Sequence, residues 1–300
     1  MDLPLYKIIL LALIQGAAEL LPVSSSAHVI VAERWMGYDP SSPEMAFLLV
    51  MLHTGTMVAV ILYFWPRWRR LLAPAGLPAL PGEVPRPRYQ FLVMVVLATA
   101  VTGVVGLGLK VLIEKVVFER LLGHSKGEVE HLFKNLDLIA AALFAVGLLI
   151  IAAGFRETRT QHAPLTPRAS FWIGLIQGLC LPFRGFSRSG ATISTGMFCG
   201  ISRGLAEDFS FALAVVLTPP VIVYELWRLL KARGWQELQE LFHLLRPGLL
   251  GMAFACLAGL VALRILSAAL EKGRWKYFGY YCLIAAAGVL AAARYLPPPG

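Results

Sequence analysis

The sequence predicts an all-α polytopic membrane protein, built as an inverted-topology repeat in which each half holds one re-entrant helical hairpin plus three transmembrane helices. Three observations carry that prediction. Of 300 residues, 58% are hydrophobic and 15% charged, whereas a soluble domain carries roughly 25% charged residues. Two apolar segments are each broken at their centre by a polar turn, and charged residues at membrane depth face a cavity or a partner rather than lipid. The two broken segments also share letters: Leu13-Ile14-Gln15-Gly16 recurs as Leu175-Ile176-Gln177-Gly178, and each copy is followed by Leu-Pro (Leu21-Pro22, Leu181-Pro182) and then by serines.

The first repeat is assigned to residues 1–155. Its hairpin, 3–36, is an apolar run to Pro22, a serine turn (Ser24, Ser25, Ser26), and the short run Val29 to Met36, too short to cross a bilayer alone. Gln15 and Glu19 stand at i and i+4 and share a helix face. Three spans follow, 44–65, 89–113 and 136–155, with Gly103, Gly106 and Gly108 near the end of the second. The second repeat, 156–300, opens with a hairpin over 171–201 whose tip holds Pro182, Arg184, Gly185 and Ser187-Arg188-Ser189-Gly190; spans 207–230, 247–270 and 276–296 complete it. A hairpin plus three crossings leaves the chain on the opposite side, so the second half starts inverted. Broken helices meeting at mid-membrane between such repeats are the build of many transporters.

The net charge of +9 does not point to nucleic acid, because Lys and Arg fall in the short links between apolar runs. The link from Arg67 to Arg88 alone holds five Arg and five Pro. The basic totals on the two sides are similar, so the positive-inside rule does not orient the chain. Cys180, Cys199, Cys256 and Cys282 lie singly in apolar runs, without metal-ligand spacing or a disulfide framework. The N-terminus is apolar from Leu3 without a convincing cleavage site, which argues against a cleaved signal peptide.

Each hairpin's second half-helix begins just after its turn, so its N-terminus presents free N–H groups and the positive end of a helix dipole, a ready anion site. Two such ends converging beside Arg188 would hold a phosphate group. The Arg fork, the hydroxyls of Ser187, Ser189 and Thr192, and the close approach that Gly190 allows all suit phosphate oxygens. The first turn adds what mere binding does not need. One of Ser24, Ser25 and Ser26 could be a nucleophile, and His28 a base or itself the phosphorylated group. Glu19 and Gln15 offer oxygens to a divalent cation. The bland readings are an N-cap for the serines, a structural role for His28 and a proton relay for Glu19.

Leu21-Pro22-Val23-Ser24-Ser25-Ser26-Ala27-His28, preceded by Gln15 and Glu19, resembles the first motif of the bacterial undecaprenyl-pyrophosphate phosphatases. Gly185-Phe186-Ser187-Arg188-Ser189-Gly190-Ala191-Thr192 resembles their second. The similarity continues through Ile201-Ser202-Arg203 and Phe209-Ser210-Phe211, and length and span pattern fit over the whole chain. The resemblance implies a metal-dependent enzyme, with Mg or Ca the expected cation. Such an enzyme sits in the bacterial inner membrane with its site toward the periplasm. It removes the terminal phosphate of an isoprenoid pyrophosphate lipid, recycles the carrier of peptidoglycan synthesis and confers bacitracin resistance. It further implies Glu19 for metal or acid/base work, Ser25 and His28 as the nucleophilic centre without deciding between them, and Arg188 as phosphate clamp.

Two departures stand out. Gln15 replaces a Glu found in many members, and Arg184 precedes Gly185 where the family has Pro; Arg184 is read either as a second phosphate contact or as a snorkelling cation. His53 lies on the span after the first hairpin and is read as a core histidine able to reach the site. His124, His131, His162 and His243, in links, receive no role. The rival from another class is a transporter or flippase of a lipid phosphate or other anion. Partners expected are the lipid substrate and the surrounding membrane, no nucleic acid, with a homodimer left open.

Overall fold

The computed structural model describes residues 4–38, 43–71, 88–113, 135–156, 163–233 and 238–295. Most of the basic link 67–88, the link segments 114–134 and 157–162, and His124, His131 and His162 lie outside the described residues, as does the side chain of His243. The described residues form ten helices: α1 (Leu5–Leu20), α2 (Ser25–Trp35), α3 (Pro43–Leu71), α4 (Arg88–Val111), α5 (Leu136–Phe155), α6 (Pro167–Cys180), α7 (Arg188–Phe198), α8 (Arg203–Arg233), α9 (Leu238–Glu271) and α10 (Trp275–Tyr295).

Six of them (α3, α4, α5, α8, α9 and α10) are long and apolar enough to cross a bilayer, and the chain is a multi-pass membrane protein. The other four have 16, 11, 14 and 11 residues, or about 16–24 Å of helix against a hydrocarbon core of about 30 Å. They pair as α1 with α2 and α6 with α7, joined by the turns 21–24 and 181–187.

The span 136–155 coincides with α5, because Asn135 caps its start by accepting the amide of Asp137 at 2.8 Å. Other limits move outward. α6 begins at Pro167 rather than Phe171: Thr166 accepts the amide of Ala169 at 3.2 Å, and the proline occupies the first helical turn. α3 runs through Pro66 to Leu71, α8 through Pro219 and Pro220, and α9 starts at Leu238 with Pro247 inside it. Neighbouring helices and local adjustments re-satisfy the backbone groups that a proline frees in a membrane helix. α4 passes Gly103, Gly106 and Gly108, as the expected span 89–113 does, and ends at Val111.

In lipid there is little hydrophobic drive between helices, so association depends on close packing of small residues. α1 packs along α9, α6 along α4, α3 along α8 and α9, and α5 along α10. Glycines set these approaches. A Cβ on Gly16 of α1 would stand 2.5 Å from the Ala255 carbonyl oxygen of α9, and one on Gly178 of α6 would stand 2.7 Å from Val105 of α4. Between α5 and α10, a Cβ on Gly279 would meet Ile151 at 2.5 Å and the Gly147 oxygen at 2.6 Å.

The end of the α3–α8 contact remote from the serine turn is closed by a polar network. Arg67 of α3 reaches Glu207 at 3.2 Å and Asp208 at 3.4 Å, Ser267 of α9 donates to Glu207 at 2.6 Å, and Tyr63 donates to Ser267 at 3.0 Å. Beside it Phe64 stacks on Phe211 and Trp68, with centroids 5.0 and 5.5 Å apart. Buried polar groups in this region are thus mutually paired, as a low-dielectric interior requires.

The close α5–α10 approach gives a direct test. Gly279→Leu is expected to cost about 1–3 kcal/mol through overpacking, lowering the thermal midpoint in detergent. Gly288→Leu on the same helix, where an added Cβ meets nothing within 4 Å, should leave the midpoint within experimental error. Equal midpoints for the two variants would refute the tight contact.

Candidate functional site

Both short pairs bend at a turn, and the two turns touch. The amide of Gly185 donates to Ser26 Oγ at 3.1 Å, and a Cβ on Gly190 would lie 3.3 Å from Pro22. Each turn needs one residue at positive φ. Gly185 (φ 95°) serves the second, pressed against Ile139, and Ser24 (φ 65°) serves the first, where a non-glycine residue holds the left-handed region. No side chain caps the N-terminus of α2, whereas Ser187 caps α7 by accepting the Gly190 amide at 3.2 Å.

Glu19, one residue before the end of α1, is the point where the elements converge. Its Oε2 accepts from Ser25 Oγ at 2.5 Å and from Gln15 Nε2 at 3.2 Å, while its Oε1 accepts from Arg188 Nη2 at 3.2 Å. His53 of α3 places Nε2 3.7 Å from the same Oε2. Four elements therefore meet on one carboxylate: α1 through Gln15, the first turn of α2 through Ser25, α3 through His53, and the first residue of α7 through Arg188. The helix period explains Gln15, one turn before Glu19 on the same face.

Glu19, His53 and Arg188 line a small, half-open cleft between α3 and α8. Its remaining walls include Leu20, Met57, Val60, Ala214 and Val215, an apolar surface contiguous with the charged end.

His28 stands apart from this cluster. Its Nδ1–H donates to the Ser24 carbonyl at 2.8 Å, so in the neutral ring Nε2 accepts from the Tyr281 hydroxyl at 2.8 Å. The two rings also stack at 5.7 Å with their planes 10° apart. The remaining predicted residues are engaged within the protein. Ser24 bonds Ser26 at 3.2 Å, Ser187 bonds Ser189 at 3.5 Å, and Ser189 donates to the Leu21 carbonyl at 3.5 Å. Thr192 is buried and bonds Ser210 at 2.6 Å, which ties the second turn to α8. Arg184 is exposed on the second turn.

Sequence reasoning placed His53 among core histidines and did not name Tyr281. The signal for His53 was its place on the span following the hairpin. Tyr281, beside Tyr277 and Tyr280, has the pattern of an interfacial aromatic and gave none.

Among the described residues no three His, Cys, Asp or Glu side chains stand close enough to hold a metal ion. Gln15 turns its amide nitrogen toward Glu19, so it offers that oxygen a donor and not a second ligand oxygen. The donor set fits a cation shared between Glu19 and substrate oxygens, a common mode for Mg²⁺, and does not fit a cage made by protein alone.

The bacitracin resistance protein BacA family matches residues 8–288. The chain is 55% identical over 293 residues to "Undecaprenyl-diphosphatase 2" of Acinetobacter baylyi, covering 96% of this chain and 98% of that protein. It is 33% identical to "Undecaprenyl-diphosphatase 2" of Burkholderia ambifaria, over 94% of each chain. It is 30% identical to "Undecaprenyl-diphosphatase" of Desulfosudis oleivorans, covering 92% of this chain and 94% of that one. With a match across nearly the whole chain, and with both of its turns built on the motifs read from the sequence, the protein belongs to the BacA bacitracin-resistance family.

Proposed function

We propose that the chain is an undecaprenyl-diphosphatase, which hydrolyses undecaprenyl pyrophosphate to undecaprenyl phosphate and inorganic phosphate. This recycles the carrier lipid of peptidoglycan synthesis and confers bacitracin resistance. One observation carries the reading: a serine hydroxyl, a carboxylate and an arginine are hydrogen-bonded in sequence where the two short helix pairs meet, Ser25 to Glu19 at 2.5 Å and Glu19 to Arg188 at 3.2 Å. Nucleophile, base and a third group that orients the base are the general form of covalent catalysis.

In the first step Ser25 Oγ attacks the terminal phosphorus as its proton passes to Glu19 Oε2. The new Oγ–P bond forms as the bond to the bridging oxygen breaks, and undecaprenyl phosphate leaves with that electron pair. In the second step water attacks the phosphoserine, Ser25 regains its proton, and inorganic phosphate departs. Arg188 spends one of its five N–H donors on Glu19, and the others suit the phosphoryl oxygens as negative charge develops. The uncapped N-terminus of α2 adds backbone N–H groups. A divalent cation, Mg²⁺ or Ca²⁺, held by Glu19 together with pyrophosphate oxygens, would neutralise part of the charge.

The apolar walls of the cleft receive the isoprenoid tail near the headgroup. His28, engaged with Ser24 and Tyr281, supports the turn that carries Ser25 and is a weaker candidate for the nucleophile. Gln15 holds the carboxylate. Ser24, Ser26, Ser187, Ser189, Gly190 and Thr192 shape the two turns, and Arg184 is exposed on the second.

We further propose the inverted repeat, with halves 1–155 and 156–300 and both short pairs re-entrant from opposite sides of the inner membrane. Exchanged packing supports it. α1 lies along α9 and α6 along α4, which are equivalent contacts when the halves are interchanged, while α3–α8 and α5–α10 each pair a helix with its own counterpart. Gly16 and Gly178, the glycines of the repeated Leu-Ile-Gln-Gly, make the two exchanged approaches. Transporters share this build, but a carrier has no use for the Ser25–Glu19 pair, and that pair favours hydrolysis.

The hydrolytic reading is tested by phosphate release from a C55 isoprenyl pyrophosphate in detergent. Ser25→Ala and Arg188→Ala should each lose about 10²–10³-fold or more in kcat, His28→Ala distinctly less, and EDTA should abolish release. A phosphoryl group trapped on Ser25 by acid quench would be seen as a mass increment on its peptide. Full activity of Ser25→Ala would sink the serine mechanism.

The topology is tested in a cysteine-free background with Trp35→Cys, on an exposed residue, and Gly204→Cys, where an added side chain meets nothing within 4 Å. A membrane-impermeant maleimide added to spheroplasts should label only one of them, and labelling the other should require permeabilisation. Labelling of both from outside would overturn the inverted arrangement.

A further inference from the structure

His53 has a geometry that the hydrolytic scheme leaves unused. Its Nδ1–H donates to the Leu49 carbonyl one turn back at 2.7 Å, which fixes the tautomer and aims the Nε2 lone pair outward. Among the described residues Nε2 has no hydrogen-bond partner, and the side chain is 40% exposed into the cleft. An imidazole tethered through one nitrogen to a backbone carbonyl, with its other nitrogen open, is the arrangement typical of metal-ligating histidines. Nε2 lies 3.7 Å from Glu19 Oε2. Two donors about 2.1 Å from a common ion stand about 3.0 Å apart when cis in an octahedron and about 3.4 Å apart in a tetrahedron, so an ion binding here draws the two side chains together by a few tenths of an ångström. The same oxygen also accepts from Ser25 and Gln15, so a bound ion takes the place of one of these donors.

We propose that His53 Nε2 and Glu19 Oε2 together form a two-residue clamp for a divalent cation at the mouth of the α3–α8 cleft, beside Arg188, with the remaining positions left to phosphate oxygens and water. The clamp rests on the reading that the site works with a divalent cation. It also changes the expected metal. One imidazole and one carboxylate suit Mn²⁺, Co²⁺ or Zn²⁺ better than Ca²⁺, whose ligands are oxygen alone. The clamp joins α1 to α3, so a bound ion links the re-entrant pair to the first span, and that link is made by no hydrogen bond between Glu19 and His53.

The test uses the purified full chain in detergent at pH 7.5 with Mn²⁺, alone and with methylenediphosphonate as the pyrophosphate probe. Pulsed electron paramagnetic resonance should show modulation from a directly bound imidazole ¹⁴N. His53→Gln should abolish that modulation and weaken Mn²⁺ binding tenfold or more, the scale of losing a ligand or its orienting partner. It should change Ca²⁺ binding by no more than about threefold, since Ca²⁺ gains little from nitrogen. His28→Gln should leave the modulation intact. Mn²⁺ that binds wild type without ¹⁴N modulation, or binds His53→Gln unchanged, would overturn the clamp and leave the cation reading standing, as would modulation lost in His28→Gln instead. No binding of Mn²⁺, Mg²⁺ or Ca²⁺ to wild type, with or without the diphosphonate, would overturn both. A second variant guards against a folding artefact: Gln15→Glu in the His53→Gln background should restore cation binding without restoring the nitrogen signal.

Discussion

A carboxylate enclosed among helices has to be compensated, and Glu19 is compensated by three bonded partners. Removing an ion from water costs several kcal/mol even after the protein relaxes, so a lone Glu at the end of α1 would not stay charged there. Arg188 supplies the countercharge at 3.2 Å, while Ser25 and Gln15 supply hydrogen bonds. These partners sit on α1, α2 and α7, so the positions of the two short helix pairs are tied to a single side chain. Arg188 is in turn as dependent on Glu19 as Glu19 is on it, which makes the contact between the two turns a condition of the fold as much as a feature of the site.

That contact needs the backbones to come close, and close approach needs small residues. Gly185 and Gly190 let the second turn press against Ile139 and Pro22, and Gly16 and Gly178 let the short helices lie against α9 and α4. The glycines therefore set the distances at which Ser25, Glu19 and Arg188 meet. The unusual φ of Ser24 belongs to the same constraint. With α1 ending at Leu20 and α2 starting at Ser25, four residues must reverse the chain and leave Ser25 in the first turn facing Glu19, and one of them takes the left-handed region to do so.

Much of this was legible in the sequence, because it follows from local pattern. Apolar runs of span length, broken segments too short to cross, and an i, i+4 pair on one face are all local, and the six crossings and four short helices follow from them. The Gln15–Glu19 bond is the direct consequence of that spacing. Non-local geometry was not legible. Nothing in the order of residues says that His28, three positions after Ser25, turns to a tyrosine 253 positions away, and for His53 the order shows a span position able to reach the site but not the rotation that faces it to Glu19. Both depend on how helices rotate when packed. Proline misled at two limits for a related reason: it reads as a terminator in water, yet α3 and α9 pass through Pro66 and Pro247 because packed neighbours make up for the lost bond, as α8 does at Pro219 and Pro220 inside the expected span 207–230. The hydroxyls of Ser189 and Thr192, which read as phosphate donors, bond to Leu21 and Ser210 and hold the turn in place.

On the proposed repeat, the two halves began with the same polar letters and use them differently. Gln15 has Glu19 one turn later and holds it. The corresponding Gln177 has Leu181 one turn later, and its amide donates instead to Thr102 of α4 at 3.2 Å, fully buried. The second half therefore has no acid at the position equivalent to Glu19, and the first has no cation equivalent to Arg188. Ser24 precedes Ser25 at the start of one half-helix, where Ser187 precedes Arg188 at the start of the other. Two matching acids facing each other at mid-membrane would repel, and two matching cations would do the same. A duplicated frame whose tips touch can hold one charge of each sign at low cost, so placing the base in one half and the phosphate clamp in the other is the arrangement that keeps the tips together and yields a single reactive centre.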